Sequence, residues 1–345
     1  MIHARLGKKL APSFSLDVEF EIPGGVTALY GPEGSGKTQI LEMLTGLLRP
    51  DSGRILHDDV LVFDAQAGVN VPARKRSYGY LPPRDSLFPH MTVRKNLAFA
   101  AKVPRLERHR RVGEMLERFE LTDAGPRRPG EIRPGQRLRA AAARALIAAP
   151  KLLLVDAPEF SEPDFQQVRT VFDGPVVIAT RDLDLACALA DQMLVLDSGR
   201  ILRRGTPREV LDQPQSPRAA RLLGYRNVFE ATITGLDPGR NSSRLEIASA
   251  VGPFELAVPY LPGHFKGDRV SIGIRAEHVR VYAAGTPAPP NAQPAQLVRV
   301  WRHVHLVRLE FAGGITADVP PDEYARQKDN KSWQVEFPSE ALRIL

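Results

Sequence analysis

The first part of the chain alternates strictly between apolar and polar positions. From Phe14 to Ile22 every second residue is apolar, and the residues between them are serine, aspartate or glutamate. A period of two places the apolar side chains on one face of a β-strand and the polar side chains on the other. The pattern therefore predicts an antiparallel strand that covers a core on one side only.

A second group of segments is apolar at nearly every position. Short continuous runs of this kind are typical of parallel strands that are buried on both faces. We predict such strands at residues 26–30, 151–156, 175–180 and 193–197. Helices are predicted over 37–48 and around 182–190, and the region from about 87 to 149 is helical and arginine-rich. Strands that alternate with helices predict an α/β fold.

The composition changes after residue 205. A proline- and charge-rich stretch over 205–227 precedes a region in which short strand patterns dominate. We therefore predict two domains, one over residues 1–224 with a helical subdomain at about 84–149, and an all-β domain over 225–345. The proline-rich segment 283–294 separates two strand groups in the second domain, which allows two small barrel-like halves.

The segment between the first buried strand and the first helix carries the strongest chemical signal. It reads Gly-Pro-Glu-Gly-Ser-Gly-Lys-Thr and matches the pattern G-x-x-x-x-G-K-[ST]. In such a loop, glycines let backbone N–H groups surround phosphate oxygens, the lysine contacts the outer phosphates, and the hydroxyl binds Mg²⁺. The dipole of the following helix adds to the attraction. We predict a site for a nucleoside triphosphate and Mg²⁺ formed by Gly31, Pro32, Glu33, Gly34, Ser35, Gly36, Lys37, Thr38 and Gln39.

Composition and charge narrow the function classes. Of the 345 residues, 43% are hydrophobic and 25% charged, as in an ordinary globular protein. The net charge of +7 would suit nucleic acid, but the arginines are scattered and no aromatic-rich binding motif accompanies them, so we expect no nucleic acid partner. No apolar run reaches the roughly 18 residues of a membrane-spanning helix. We also expect no secretory signal and no lipid anchor, and Cys187 alone cannot form an internal disulfide.

Several segments together resemble one protein family. The phosphate loop, residues 87–93, the basic helix 134–146 and the strand that ends at Asp156 resemble, in order and spacing, the ATP-binding subunit of ABC transporters. The chain looks like the importer type for oxyanions and sugars and is most similar to the molybdate-type subunit, whose tail is a β domain of the TOBE or molybdate-binding class. Residues 271–279 and 337–342 carry this likeness in the tail. The resemblance implies a P-loop NTPase of ABC type, with a mixed sheet and a helical subdomain, followed by a smaller all-β, barrel-like domain.

The resemblance also implies a mechanism. Two ATP-binding subunits, as a homodimer or a heterodimer, enclose two ATP molecules, and their closure drives membrane subunits between inward and outward states. One subunit supplies the phosphate loop and the acid strand, and the other supplies a signature segment that contacts the γ-phosphate. Asp156 would orient Mg²⁺ beside Thr38, and residues 87–93 would lie near the membrane subunits. The protein would be cytoplasmic, on the inner face of the cell membrane.

The signature segment departs from the family pattern. Where the family has L-S-G-G-Q, this chain has an isoleucine followed by Arg133, Pro134, Gly135 and Gln136. Arg133 replaces a short hydroxyl donor, and Pro134 has no backbone N–H. We therefore expect at least two contacts with phosphate to be lost.

Three further positions that serve hydrolysis in the family are also changed. The glutamate that polarises the attacking water is Ala157 here, and loss of a positioned base typically costs about 10²- to 10⁴-fold in rate. Glu159 and Glu162 are nearby carboxylates of unknown direction. Arg181 stands at the expected histidine and cannot relay a proton, and Pro83 stands at the expected glutamine.

These substitutions beside an intact phosphate loop leave two explanations open. Either the subunit binds ATP as a structural or regulatory member of a pair, or it hydrolyses ATP slowly with other groups substituting. We expect the ATP-binding subunit of an importer for a small oxyanion, with impaired hydrolysis. The alternative is a non-hydrolysing, ATP-dependent regulator whose β domain senses an anion.

An aromatic residue that stacks on adenine is usual in the N-terminal strands of the family. Phe14 is the nearest candidate in this chain. Its place in an alternating apolar strand favours packing in the core instead.

Overall fold

A computed structural model describes residues 1–83, 87–249, 252–283, 289–330 and 332–345. The chain divides into two compact units, Met1–Val210 and Leu211–Leu345. The structure thus groups residues 211–224 with the second unit, whereas we had placed the boundary at 224/225. The hydroxyl of Tyr225 donates to the carbonyl of Leu211 at 2.8 Å, which ties this segment to the chain that follows it.

The first unit combines strands and helices along the chain. Its strands are β1 (Ile2–Ala11), β2 (Phe14–Ile22), β3 (Val26–Tyr30), β4 (Ser52–His57), β5 (Val60–Asp64), β6 (Val69–Asn70), β7 (Tyr78–Leu81), β8 (Leu152–Val155), β9 (Val176–Thr180), β10 (Gln192–Asp197) and β11 (Arg200–Gly205). Its helices are α1 (Lys37–Thr45), α2 (Ala73–Arg76), α3 (Val93–Ala100), α4 (Arg105–Arg118), α5 (Pro134–Leu146), α6 (Glu162–Arg169) and α7 (Leu183–Leu189), and α8 (Pro207–Asp212) extends across the boundary.

These strands form two sheets. The first has the order β2-β1-β4-β5-β6 and is antiparallel. The second has the order β11-β10-β3-β9-β8-β7, in which β11 is antiparallel to β10 and the other neighbours are parallel. All four strands predicted from continuous apolar runs lie in this second sheet as β3, β8, β9 and β10. The predicted α/β fold with a mixed sheet is confirmed.

The six-stranded sheet is buried on both faces. Leu152 and Leu154 of β8 pack with α1 and the antiparallel sheet. Leu153 and Val155 of the same strand point to the opposite face and pack with residues of α3, α4, α5 and α6. This two-sided burial explains why the strands are apolar at every position and not only at alternate ones.

The C-terminus of α1 is held by a buried arginine. Arg76 is 5% exposed, and its guanidinium donates to the carbonyls of Met43, Leu44 and Val71 at 2.7–2.8 Å. The first two are among the carbonyls that a helix leaves unpaired at its end. Gly46 follows with φ of 82°, so α1 ends at Thr45, before the predicted end at residue 48.

The second unit is mainly β-structure. Its strands are β12 (Asn227–Asp237), β13 (Ser242–Ile247), β14 (Phe254–Pro259), β15 (Arg269–Ile274), β16 (Arg280–Ala283), β17 (Ala292–Ala295), β18 (Leu297–Arg302), β19 (Val307–Phe311), β20 (Ile315–Val319), β21 (Trp333–Glu336) and β22 (Arg343–Ile344). The short helices α9 (Pro217–Leu222) and α10 (Pro321–Gln327) accompany them.

The strands before and after the proline-rich segment do not form separate halves. β15 pairs with β22, and β16 pairs with β21, across that segment. The three sheets β14-β13-β12-β15-β22, β16-β21-β17 and β18-β19-β20 contribute to one hydrophobic core. Of the segment 283–294 itself, residues 284–288 lie outside the described ranges, as do residues 84–86 of the predicted helical subdomain.

None of the helices in the described part of the chain combines the length and the hydropathy that crossing a membrane requires.

We expect Arg76→Ala to lower the free energy of unfolding by about 2–4 kcal/mol, because the carbonyls of Leu44 and Val71 lose this donor and the carbonyl of Met43 keeps only the N–H of Gly46. Urea unfolding measures this difference. The control is Arg49→Ala, which removes an exposed arginine just beyond α1. Equal effects of the two substitutions would show that Arg76 does not secure the helix.

Candidate functional site

The parallel register of the large sheet brings three chain segments to one edge. Tyr30, the last residue of β3, lies opposite Thr180, the last residue of β9, and β9 in turn pairs with β8. The phosphate loop, Asp156 and Arg181 each follow one of these strands. Together they border a cleft of about 680 Å³, lined by Glu33, Gly34, Ser35, Gly36, Lys37, Thr38, Gln39, Pro83, Asp156, Pro158, Ala179, Thr180, Arg181 and Asp182.

Two glycines of the loop have structural reasons to be glycine. A Cβ on Gly31 would lie 2.1 Å from the carbonyl oxygen of Leu196, so the loop leaves β3 in close contact with the end of β10. Gly36 has φ of 103° at the N-cap of α1, a conformation that other residues rarely adopt. Both constraints fix where the loop turns into the helix.

Lys37 is held inside the loop by its own backbone. Its Nζ donates to the carbonyl oxygens of Gly31 at 2.8 Å and Pro32 at 2.7 Å, and to Ser35 Oγ at 3.1 Å. Burial lowers the pKa of Lys37 to about 8, and the nearby charge of Asp156 opposes that shift. The ammonium is thus poised among oxygen ligands where a phosphate would add a stronger one.

Asp156 and Thr38 form the acidic side of the cleft. Asp156 is 7% exposed, and its backbone N–H donates to the carbonyl of Leu81 at 2.7 Å. Burial raises the pKa of its carboxyl, while a hydrogen bond from Thr38 lowers it. Within the described ranges, Asp156 Oδ2 is buried and has no hydrogen-bond partner. An unpaired, buried carboxylate oxygen beside a hydroxyl is a donor set that fits Mg²⁺.

Arg181 and Glu33 face each other across the cleft. Arg181 Nη1 donates to Glu33 Oε2 at 3.1 Å, and the two side chains are 60% and 88% exposed. We had singled out both residues from the sequence but did not foresee their pairing. The order of the strands could not be read from the sequence, and this order decides that β9 ends beside the phosphate loop.

The two substituted positions near Asp156 differ in their surroundings. Pro83 lines the cleft, as do Pro158 and Asp182, which no sequence motif singles out. Ala157 is buried and is not among the residues that line the cleft. Glu159 and Glu162 are exposed and do not line it either.

The signature segment forms the N-terminus of α5. Arg133 is the N-cap, Pro134 is the first helical residue, and Gln136 Oε1 accepts from the backbone N–H of Arg133 at 3.1 Å. A Cβ on Gly135 would meet no atom within 4 Å, and its φ lies outside the left-handed region. Nothing in the described fold therefore requires glycine there. None of the residues 133–136 lines the cleft.

The structure corrects the preference for Phe14 as a core residue. Its side chain is half-buried, and it is absent from the described hydrophobic clusters that contain Leu16, Val18 and Phe20. A Cβ on Gly36 would lie 3.5 Å from the tip of the Phe14 ring. Phe14 thus lies beside the phosphate loop.

The chain is similar to one protein family and to several individual import ATP-binding proteins. The sequence profile of the family described as "ABC transporter" matches residues 15–159, which include the phosphate loop and Asp156. A sulfate/thiosulfate import ATP-binding protein of Agrobacterium fabrum is 36% identical over 282 residues, 77% of this chain and 80% of that protein.

Two further relatives carry names that refer to molybdenum. A molybdenum import ATP-binding protein of Paramagnetospirillum magneticum is 32% identical over 281 residues, 78% of this chain and 75% of that protein. A molybdate/tungstate import ATP-binding protein of Pyrococcus horikoshii is 32% identical over 285 residues, 78% of this chain and 76% of that protein.

A solved structure supports the fold. It is cbiO1 from Clostridium perfringens, part of the ABC transporter complex cbiONQ, with a TM-score of 0.52 and 24% sequence identity. The match covers 64% of this chain and 98% of that chain.

The lowered pKa of Lys37 predicts how stability depends on pH. The lysine loses its proton near pH 8 in the fold and near 10.5 when unfolded. Between these values the unfolded state holds more protons, so this group makes the protein more stable as pH rises from 8 to 10.5. The stability difference between wild type and Lys37→Met should therefore increase over this range and stay level below pH 8.

Urea unfolding at pH 7 to 10.5 measures this difference. Lys75→Met, which removes an exposed lysine that does not line the cleft, is the matched control. If the difference in free energy of unfolding between wild type and Lys37→Met does not change from pH 7 to 10.5, the lowered pKa of Lys37 is contradicted.

Proposed function

Since the chain belongs to the ABC transporter family of ATP-binding proteins, we propose that it is the ATP-binding subunit of an importer for a small oxyanion, with impaired ATP hydrolysis. The observation that carries this proposal is a contrast around the cleft. The phosphate loop, Thr38 and Asp156, which would bind phosphate and Mg²⁺, are present, while three positions that serve hydrolysis in the family are substituted. Relatives named for molybdenum, molybdate/tungstate and sulfate import support the substrate class.

In this proposal the phosphate loop and the start of α1 bind the phosphates of ATP. Lys37 would exchange its carbonyl partners for phosphate oxygens, and Thr38 and Asp156 would hold Mg²⁺, which neutralises phosphate charge. Within the described residues, no three His, Cys, Asp or Glu side chains converge as a metal site. The ion would thus depend on nucleotide phosphates for further ligands. Phe14, beside Gly36, is our candidate for stacking on the base.

An exposed glycine in the signature segment supports the proposal that two ATP-binding subunits form a pair, as a homodimer or a heterodimer. Gly135 is exposed at the start of α5 and has no internal reason to be glycine. Glycine is favoured where another molecule must approach the backbone closely. We infer that a partner's ATP approaches here, and that Arg133 adds a positive charge while Pro134 removes a donor.

Slow hydrolysis follows from the environment of Asp156. Ala157 has no group that can accept a proton, and Pro83 has no amide to orient water. Glu159 and Glu162 are exposed and do not line the cleft. Arg181 holds charge but cannot relay a proton.

Membrane subunits are the proposed partners, and the protein would lie on the cytoplasmic face of the membrane. A regulator that binds ATP without hydrolysing it is the second candidate, favoured by the same substitutions. The two functions differ in whether residues 87–93 contact a pair of membrane subunits.

The rate of ATP hydrolysis should depend on the residue at position 157. Wild type should bind MgATP and release phosphate slowly, while Ala157→Glu should raise the rate at least about tenfold by restoring a base. The matched control is Ala157→Gln, which has the same size and no basic carboxylate. Phosphate release and MgATP affinity are measured in parallel for the full-length protein. Fast release by wild type, or equal rates for the Glu and Gln variants, would contradict impaired hydrolysis at this position.

Membrane-spanning subunits should bind through residues 87–93. Full-length protein purified from its own host in mild detergent should retain a pair of membrane-spanning subunits, and His90→Glu should lose them. His109→Glu introduces the same charge change on exposed α4 and should retain them. If wild type retains no membrane-spanning subunit, the regulator is favoured over the importer.

A further inference from the structure

The ion pair between Arg181 and Glu33 is placed where it can respond to a nucleotide. Its two residues come from segments far apart in sequence, and both line the cleft at the end of parallel strands β3 and β9. The N–H of Gly31 donates to the carbonyl of Thr180 at 3.3 Å, which joins the two segments just before they reach the cleft. The sheet thus brings the backbones of the two segments together, and the two side chains meet at 3.1 Å.

The ion pair between Arg181 and Glu33 is weak enough for another anion to replace Glu33. Both side chains are mostly in water, where screening and side-chain entropy leave an ion pair with little net stability. A phosphate group offers an arginine more charge and more acceptor oxygens than a carboxylate does, and can bind it in a bidentate way. Arg181 should therefore leave Glu33 when a phosphate comes within reach.

The side chains that line the cleft are more buried on one side than on the other. Lys37, at the start of α1, is half-buried among loop carbonyls, whereas Arg181 and Glu33 are at the exposed side. Lys37 is expected to contact the outer phosphates of a triphosphate, and of these only the terminal phosphate would extend beyond Lys37 toward Arg181. A diphosphate lacks that group and leaves the ion pair intact.

We propose that Arg181 exchanges Glu33 for the terminal phosphate of ATP, so that this pair makes the cleft select the triphosphate over the diphosphate. Glu33 is the opposing element, because its carboxylate competes for Arg181 and repels phosphate when Arg181 is absent. This inference rests on the proposed ATP-binding function, and adds to it a residue pair that sets specificity.

The test compares affinities for MgATP and MgADP by calorimetry in the full-length protein. Arg181→Gln should lower the ratio of ATP to ADP affinity by about tenfold, the size of one charge-assisted hydrogen bond. Glu33→Gln should raise the ratio, because it frees Arg181 and removes a negative charge. In the double variant, the gain from Glu33→Gln should lose the part that comes from freeing Arg181, and only the smaller part that comes from removing an exposed negative charge should remain.

The controls are Arg110→Gln and Glu114→Gln, which remove charges from an exposed pair on α4, outside the cleft. They should leave both affinities unchanged. If both nucleotides bind and Arg181→Gln weakens them equally or not at all, the inference is wrong while the ATP-binding function stands. If wild type binds neither nucleotide, the proposed function fails and the inference fails with it.

Discussion

Burial of the six-stranded sheet on both faces is the constraint on which the first unit depends. Strands β3, β8, β9 and β10 are almost entirely enclosed between α1 with the antiparallel sheet on one side and the helical region on the other. A buried strand must pair its backbone groups with neighbouring strands, so its register is fixed. The ends of these strands are consequently fixed as well. This register therefore also fixes the positions of the phosphate loop, Asp156 and Arg181.

The cleft holds charged groups in conditions that disfavour their charged forms. Burial lowers the pKa of Lys37 and raises that of Asp156, and the two residues partly compensate each other. Asp156 still keeps one buried oxygen without a hydrogen-bond partner in the part of the chain described. Such an arrangement reduces stability and is typical of sites whose partner is a ligand. Buried Lys37 and Asp156 thus lower the stability of the folded protein, and the same two side chains suit the cleft to phosphate and Mg²⁺.

The family match and the substituted positions point to different aspects of the same molecule. Sequence similarity over most of the chain establishes the fold and the membership of the ABC transporter family. Both depend on the strands, the helices and the phosphate loop. Hydrolysis depends on a few side chains around the terminal phosphate, and a fold can keep its architecture while those change. The structure adds that the nearby carboxylates Glu159 and Glu162 do not line the cleft, and that Arg181 is paired with Glu33.

The sequence by itself determined the buried strands, the phosphate loop and the start of α1, because each has a local cause. Continuous apolar runs require two-sided burial, and the spacing of glycines and lysine in the loop follows from phosphate chemistry. Tertiary structure alone decided three other features. Phe14 alternates like a core residue but lies beside Gly36, since its surroundings depend on which loop passes the start of β2. Residues 211–224 pack with the second unit, and Glu33 meets Arg181 across 148 positions of sequence. These are long-range contacts, fixed by the order and register of strands and by packing, which no local pattern of residues specifies.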